Sequence, residues 1–226
     1  NVKNISANTQ VHYYKVFHHC LNSAVIDEII TSNPMDKIKN EEKPKRRRTE
    51  RAFLTIDELK ILSQTDFHNA TLKKAFLFSC FCGLRHSDIV ALTWGNLKKG
   101  KVGKMELHMT QQKTQEILSL PLSKEALKQL PVRGKVPDTE KVFKGLISLG
   151  RTNEILPKWA AKAGIQKHIT FHSARHTHAT MMITLGADLY TVSKLLGHTN
   201  IQTTQIYAKI VDESKEKAID LIPDIT

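Results

Sequence analysis

The sequence predicts an α+β fold, mainly helical with one small antiparallel β-hairpin or sheet. Three observations predict it. Most of the 226 residues fall into segments whose apolar side chains recur at helical spacing between capping residues. One stretch, 104–122, alternates apolar and polar instead. The hydrophobic share of 40% and the charged share of 25% are those of a globular chain able to bury a core without staples.

The elements follow in order. From about Thr9 to Ile30, Val11, Tyr14, Phe17, Leu21, Ala24 and Val25 fall at helical spacing, and Asn33-Pro34 stops the helix. The stretch from Lys43 to Arg51 is basic, contains a proline and has no apolar periodicity, so it reads as an extended linker and domain boundary. Thr55 and Glu58 form a capping box for a helix running to about Gln64. A helix from Thr71 to Cys82 ends on Gly83, and a short one, His86 to Leu92, reaches the Trp94-Gly95-Asn96 turn. In the alternating stretch, Met105, Leu107 and Met109 share one face, Ile117, Leu118 and Leu120 return, and Lys113 stands at the hairpin tip. Helices are expected at Ser123–Leu130, Lys141–Leu149, Thr152–Ala163 before Gly164, and Phe171–Leu185 before Gly186. Asp188 caps a helix over Tyr190–Leu196 that Gly197 ends; another, near Ile201–Lys209, carries Tyr207, and Asp212–Ile222 forms a last amphipathic helix.

Composition narrows the function. No apolar run approaches the roughly 18 to 20 residues of a membrane span. Cys20, Cys80 and Cys82 are odd in number and lack CxxC spacing, which suggests neither a disulfide framework nor structural zinc and fits a reducing compartment. There is no signal peptide, and the chain opens on Asn1, so a fragment of a longer protein is expected. A net charge of +12 favours a polyanionic partner, nucleic acid first.

His172 and Arg175 lie three apart and share one helix face. His172 and His176 are four apart, as in metalloprotease helices, but position 173 is Ser rather than the catalytic Glu and no carboxylate cluster follows. No metal is therefore expected, and His176 and His178 read as structural. Taken singly, Tyr207 is a helix-face aromatic, Arg85 a helix-end charge and Lys113 a turn residue.

Together they read differently. Cys82-Gly-Leu-Arg-His-Ser-Asp88, Lys113, His172-Ser-Ala-Arg175, Leu196-Gly-His198 and Tyr207 resemble, in order and spacing, the signature of the tyrosine recombinase (phage integrase) family. The resemblance runs from about Phe53 to Lys209 and implies that family's catalytic-domain fold. It implies an active site of Arg85, Lys113, His172, Arg175 and His198 with Tyr207 as nucleophile, and Asp88 in the place of a supporting acidic residue. Two guanidinium forks suit the charge that builds on a phosphodiester under attack. Tyrosine must lose its proton as it attacks, which makes His172 the general base, and Lys113 is the acid that protonates the leaving 5′ oxygen. By the same resemblance, His198 is expected to donate to the scissile phosphate.

The implied reaction is transesterification through a 3′-phosphotyrosine, giving integration or excision of a mobile element. It conserves bond energy and needs no cofactor, in keeping with the lack of a GxxxxGK[ST] loop or a carboxylate cluster for Mg²⁺. Type IB topoisomerase-like resealing and a catalytically idle DNA-binding protein are the alternatives. By the same resemblance, residues 1–42 are the truncated end of a helical core-binding (SAM-like) domain, 43–52 the linker and 53–226 the catalytic domain. A linker between two DNA-facing domains would make Lys43, Lys45, Arg46, Arg47, Arg48 and Arg51 contacts to duplex DNA. A homotetramer on DNA is implied, with the last helix docked on a neighbour, accessory DNA-bending proteins, and a bacterial cytoplasmic, nucleoid-associated setting.

Overall fold

The computed structural model describes residues 5–47, 51–100 and 103–207, and its contacts divide the chain into two units between Glu50 and Arg51. In the first unit, the Ser6 side chain accepts from the Thr9 amide and starts α1 (Ala7–Ile26). This helix ends earlier than the sequence suggests. Glu28 enters the left-handed region at φ 59°, and the Ile29 amide turns back to the Ala24 carbonyl. Asn33 caps a 3-10 turn, Pro34–Lys37, and its Nδ2 also donates to the His18 carbonyl and Asn22 Oδ1. The basic stretch has no regular structure over 44–47, but Asn8 brackets the Arg47 backbone, accepting from its amide and donating to its carbonyl.

The second unit begins at α2 (Ile56–Gln64), where both halves of the Thr55/Glu58 capping box are present. The next helix, α3 (Ala70–Cys82), is buried nearly all round, from Leu72 through Phe76 and Phe78 to Cys82. A helix apolar on every side belongs at the centre of a domain. It packs against α5 (Lys124–Lys128) and α7 (Phe171–Thr184), and Phe76 meets Trp159 and Phe171 edge-on at 6.0 and 5.9 Å. The left-handed Gly83 (φ 72°) ends α3, and α4 (His86–Ala91) follows.

The sheet has three strands, β1 (Leu97–Lys99), β2 (Met105–Thr110) and β3 (Ile117–Pro121), in that order and antiparallel. The β2–β3 register pairs Leu107 with Leu120 and Met109 with Leu118, which turns these apolar residues into the core. β1 has no apolar alternation to reveal it, since Lys98 and Lys99 are exposed and only pairing with β2 defines it.

Two expected helices are corrected. Residues 141–148 form turns, because Lys141 bridges to Thr93, the Val142 amide donates to the Leu92 carbonyl and Gly145 sits at φ 77°. Their apolar periodicity is spent on burying Val142 and Phe143. Helix α6 (Leu149–Lys162) then starts from Ser148. Asp188 caps α8 (Leu189–Leu196), and Gly197 ends it at φ 64°. Tyr207 rides on two 3-10 turns, Ile201–Thr203 and Gln205–Tyr207, rather than an α-helix. Asn200 caps the first, and amides at Thr204 and Tyr207 bond three residues back. The expected helix at 212–222 lies outside the described residues. No described helix is long and apolar enough to cross a membrane.

Candidate active site

Arg175 sits on α7 with 3% of its surface exposed. Burying a guanidinium is costly unless its donors are met, and here Nη1 donates to the Gly83 carbonyl at 2.8 Å and Nη2 to the Leu196 carbonyl at 2.7 Å. Both carbonyls stand at helix C-termini, where acceptors are unpaired and the dipole favours a cation. Burial, and then the neighbouring Arg85, push its pKa down to about 10. It therefore remains charged at neutral pH.

Arg85 stands at the start of α4. Its Nη1 donates to Gln111 Oε1 at 3.1 Å. The Asp88 carboxylate, fully buried, accepts from the Arg85 amide at 3.2 Å and from the Gln112 amide at 2.8 Å. Asp88 thus ties the start of α4 to the β2–β3 turn. At that turn Lys113 is exposed, close enough for its charge to act on His172.

His172 lies one turn before Arg175 and is open to solvent on one side. Partial desolvation, then Arg175, Arg51, Arg85 and Lys113, hold its pKa down to about 4. Its ring meets that of His176 edge-on at 4.6 Å. His198 follows Gly197, and its Nδ1 is 2.8 Å from Thr204 Oγ1. Desolvation, then Arg175 and Arg85, lower it to about 4 as well. Both imidazoles are neutral at physiological pH.

Tyr207 is buried with Ala179, Ile183, Val192 and Leu196. Its hydroxyl is 2.5 Å from His176 Nδ1, not bonded to His172. Burial raises its pKa to about 12, against the opposing pull of Arg175 and Arg51. His176 is itself lowered to about 3 by desolvation and by His172, and its buried Nε2 has no partner among the described residues. His178 instead reaches the Cys80 carbonyl at 3.2 Å, fastening α7 to α3.

Arg85, Arg175, His172, His198 and Tyr207 thus converge from four separate segments, with Lys113 at the edge. Of the basic stretch, Arg51 belongs to this unit and its charge is felt by His172, His176, His198 and Tyr207. Lys43, Lys45, Arg46 and Arg47 lie in the first unit, and Arg48 lies outside the described residues. Sequence reasoning missed two residues. His176 had a signal, its spacing of four from His172, but the spacing was read only for metal. Gln111 had none, because glutamine in a polar turn is ordinary. Among the described residues no group of three or more His, Cys, Asp or Glu side chains is placed to share a metal ion.

Residues 52–214 match the phage integrase family. The chain is 30% identical over 199 residues to a tyrosine recombinase of Pseudothermotoga lettingae, covering 86% of this chain and 68% of that one. It is 30% identical over 207 residues to tyrosine recombinase XerC of Caldanaerobacter subterraneus subsp. tengcongensis, covering 87% and 57%. A solved structure of the Tn1549 transposon integrase (residues 82–397), in complex with circular intermediate DNA, shares the fold at a TM-score of 0.69 and 18% identity, over 91% of this chain and 76% of that one.

Proposed function

The chain belongs to the phage integrase family of DNA-cleaving and rejoining enzymes, and from that premise we propose that it recombines duplex DNA through a covalent 3′-phosphotyrosine at Tyr207. The convergence of two guanidiniums and two neutral imidazoles beside one tyrosine hydroxyl carries this reading. Arg85 and Arg175 hold the non-bridging oxygens of the scissile phosphate, with His198 as a third donor. A fixed cation preorganised by backbone carbonyls stabilises developing charge without reorganising. Tyr207 Oη forms a bond to phosphorus and gives its proton to His172, while the 5′ oxygen leaves with a proton from Lys113. A 5′ hydroxyl from a second duplex then reverses the step. No cofactor enters.

The hydroxyl bound to His176 is the resting arrangement. Burial makes the phenol a poor nucleophile there, and moving it out of that pocket towards Arg175 both lowers its pKa and exposes it to His172. Arg51, exposed in the second unit, and Lys45, Arg46 and Arg47, exposed in the first, are each suited to a DNA backbone. Integration or excision of a mobile element, as the named role of the Tn1549 transposon integrase suggests, by a tetramer assembled on DNA, completes the proposal.

A library of nicked duplexes with a randomised segment, so built that the 5′ product diffuses away, tests it and reveals the target site. The wild-type protein is expected to form an adduct that survives denaturation and ends on a 3′ phosphate, and Tyr207→Phe none. Failure of the wild type to capture any duplex sinks the proposal. Relaxation of supercoils without strand exchange assigns the site to topoisomerase-like resealing instead.

A further inference from the structure

We propose that Gln111 is a positioning residue that holds the Lys113 turn in register with the two arginines. This rests on the reading of Lys113 as the acid for the leaving oxygen. Gln111 is fully buried in a turn whose other residues are mostly exposed. A buried amide must satisfy its polar atoms, and each bond Gln111 makes goes to a different part of the site. Oε1 accepts from Arg85 Nη1 at 3.1 Å and from Thr114 Oγ1 at 2.9 Å, the latter in the turn itself. Nε2 donates to the Leu196 carbonyl at 3.1 Å, the same oxygen that takes Arg175 Nη2 at 2.7 Å.

The backbone of Gln111 closes the turn as well. Its amide donates to the Glu116 carbonyl and its carbonyl accepts from the Gln115 amide, both at 2.9 Å. Gly197 completes the junction, since a Cβ there would lie 2.8 Å from both Gln111 Nε2 and Oε1. One amide therefore joins the start of α4, the end of α8 and the hairpin tip. Lys113 makes no hydrogen bond of its own among the described residues, so its reach depends on how the turn is held. Asp88, through the Gln112 amide, is the second tie.

The test separates proton donation from phosphate binding. Gln111→Met keeps length and bulk but removes donor and acceptor. On the target duplex selected above, Gln111→Met is expected to retain the fold and DNA affinity while forming adduct roughly 10- to 100-fold more slowly, the range for a lost partner that orients a functional group rather than touching substrate. Replacing the bridging 5′ oxygen with sulfur gives a leaving thiolate that needs no proton, and this substrate is expected to restore most of the loss. Thr114→Val, which cuts only the tie to the turn, is expected to show a smaller, equally restored loss and serves if Gln111→Met does not fold. Equal slowing on both substrates, or none on either, overturns the proposal. Hydrogen exchange gives a readout free of activity: amides at 112–116 and 197–198 are expected to exchange faster together in Gln111→Met. Unchanged exchange sinks the junction whether or not the wild type cuts DNA, whereas absence of a wild-type adduct strikes the functional reading alone.

Discussion

The arginine floor and the tyrosine turn sit side by side yet are held in opposite ways. Arg175 projects from a fourteen-residue helix packed on the central α3, and two carbonyls at helix ends fix its guanidinium. Tyr207 rides on two three-residue 3-10 turns, and its hydroxyl depends on one imidazole of α7. Charge that must be in place before the transition state benefits from a rigid frame. On the proposed mechanism Tyr207 travels to phosphorus, and a group that must move benefits from a short tether with few bonds to break.

The largest effect is expected from breaking the floor. Arg175→Lys replaces a fork with one ammonium that cannot serve Gly83 and Leu196 together, so single-turnover adduct formation is expected to fall by about 10²- to 10³-fold. DNA affinity, measured by gel shift or anisotropy, is expected to change far less. Near wild-type cleavage would show that the frame is not what binds the transition state.

Acid is expected to loosen both regions. Folded His178 and His176 have pKa values lowered from 6.5 to about 4 and about 3, so the unfolded chain takes up these protons first. Stability is therefore fully present above about 6.5 and is lost as pH falls towards 4. The loss is expected to be about 2 kcal/mol from each ring, about 4 kcal/mol together, by about pH 5, read as a falling urea midpoint. A flat midpoint across that window would break the assignment of these rings as buried and neutral.

The smallest effect sharpens the contrast. His176→Phe removes the partner of the Tyr207 hydroxyl, and a pliant turn can swing that group to water. Destabilisation of about 1 kcal/mol is expected, at the low end for a lost partner. A loss near the top of that range, about 3 kcal/mol, would mean that the turn is as rigid as the floor.

What sequence alone determined was local or ordinal. The Thr55/Glu58 box, Gly83 and Gly197 mark helix ends because capping involves residues within one turn of each other. The family pattern was legible because its residues keep their order along the chain. Tertiary structure decided the rest. Strand β1, the turns at 141–148 and the 3-10 turns under Tyr207 answer to partners or steric demands that no local period encodes. His176 meets Tyr207 across 31 residues, and Gln111 meets Leu196 across 85. Such pairs exist only once the core has brought α3, α7 and α8 together, because a buried polar group takes whatever partner the packing leaves within reach.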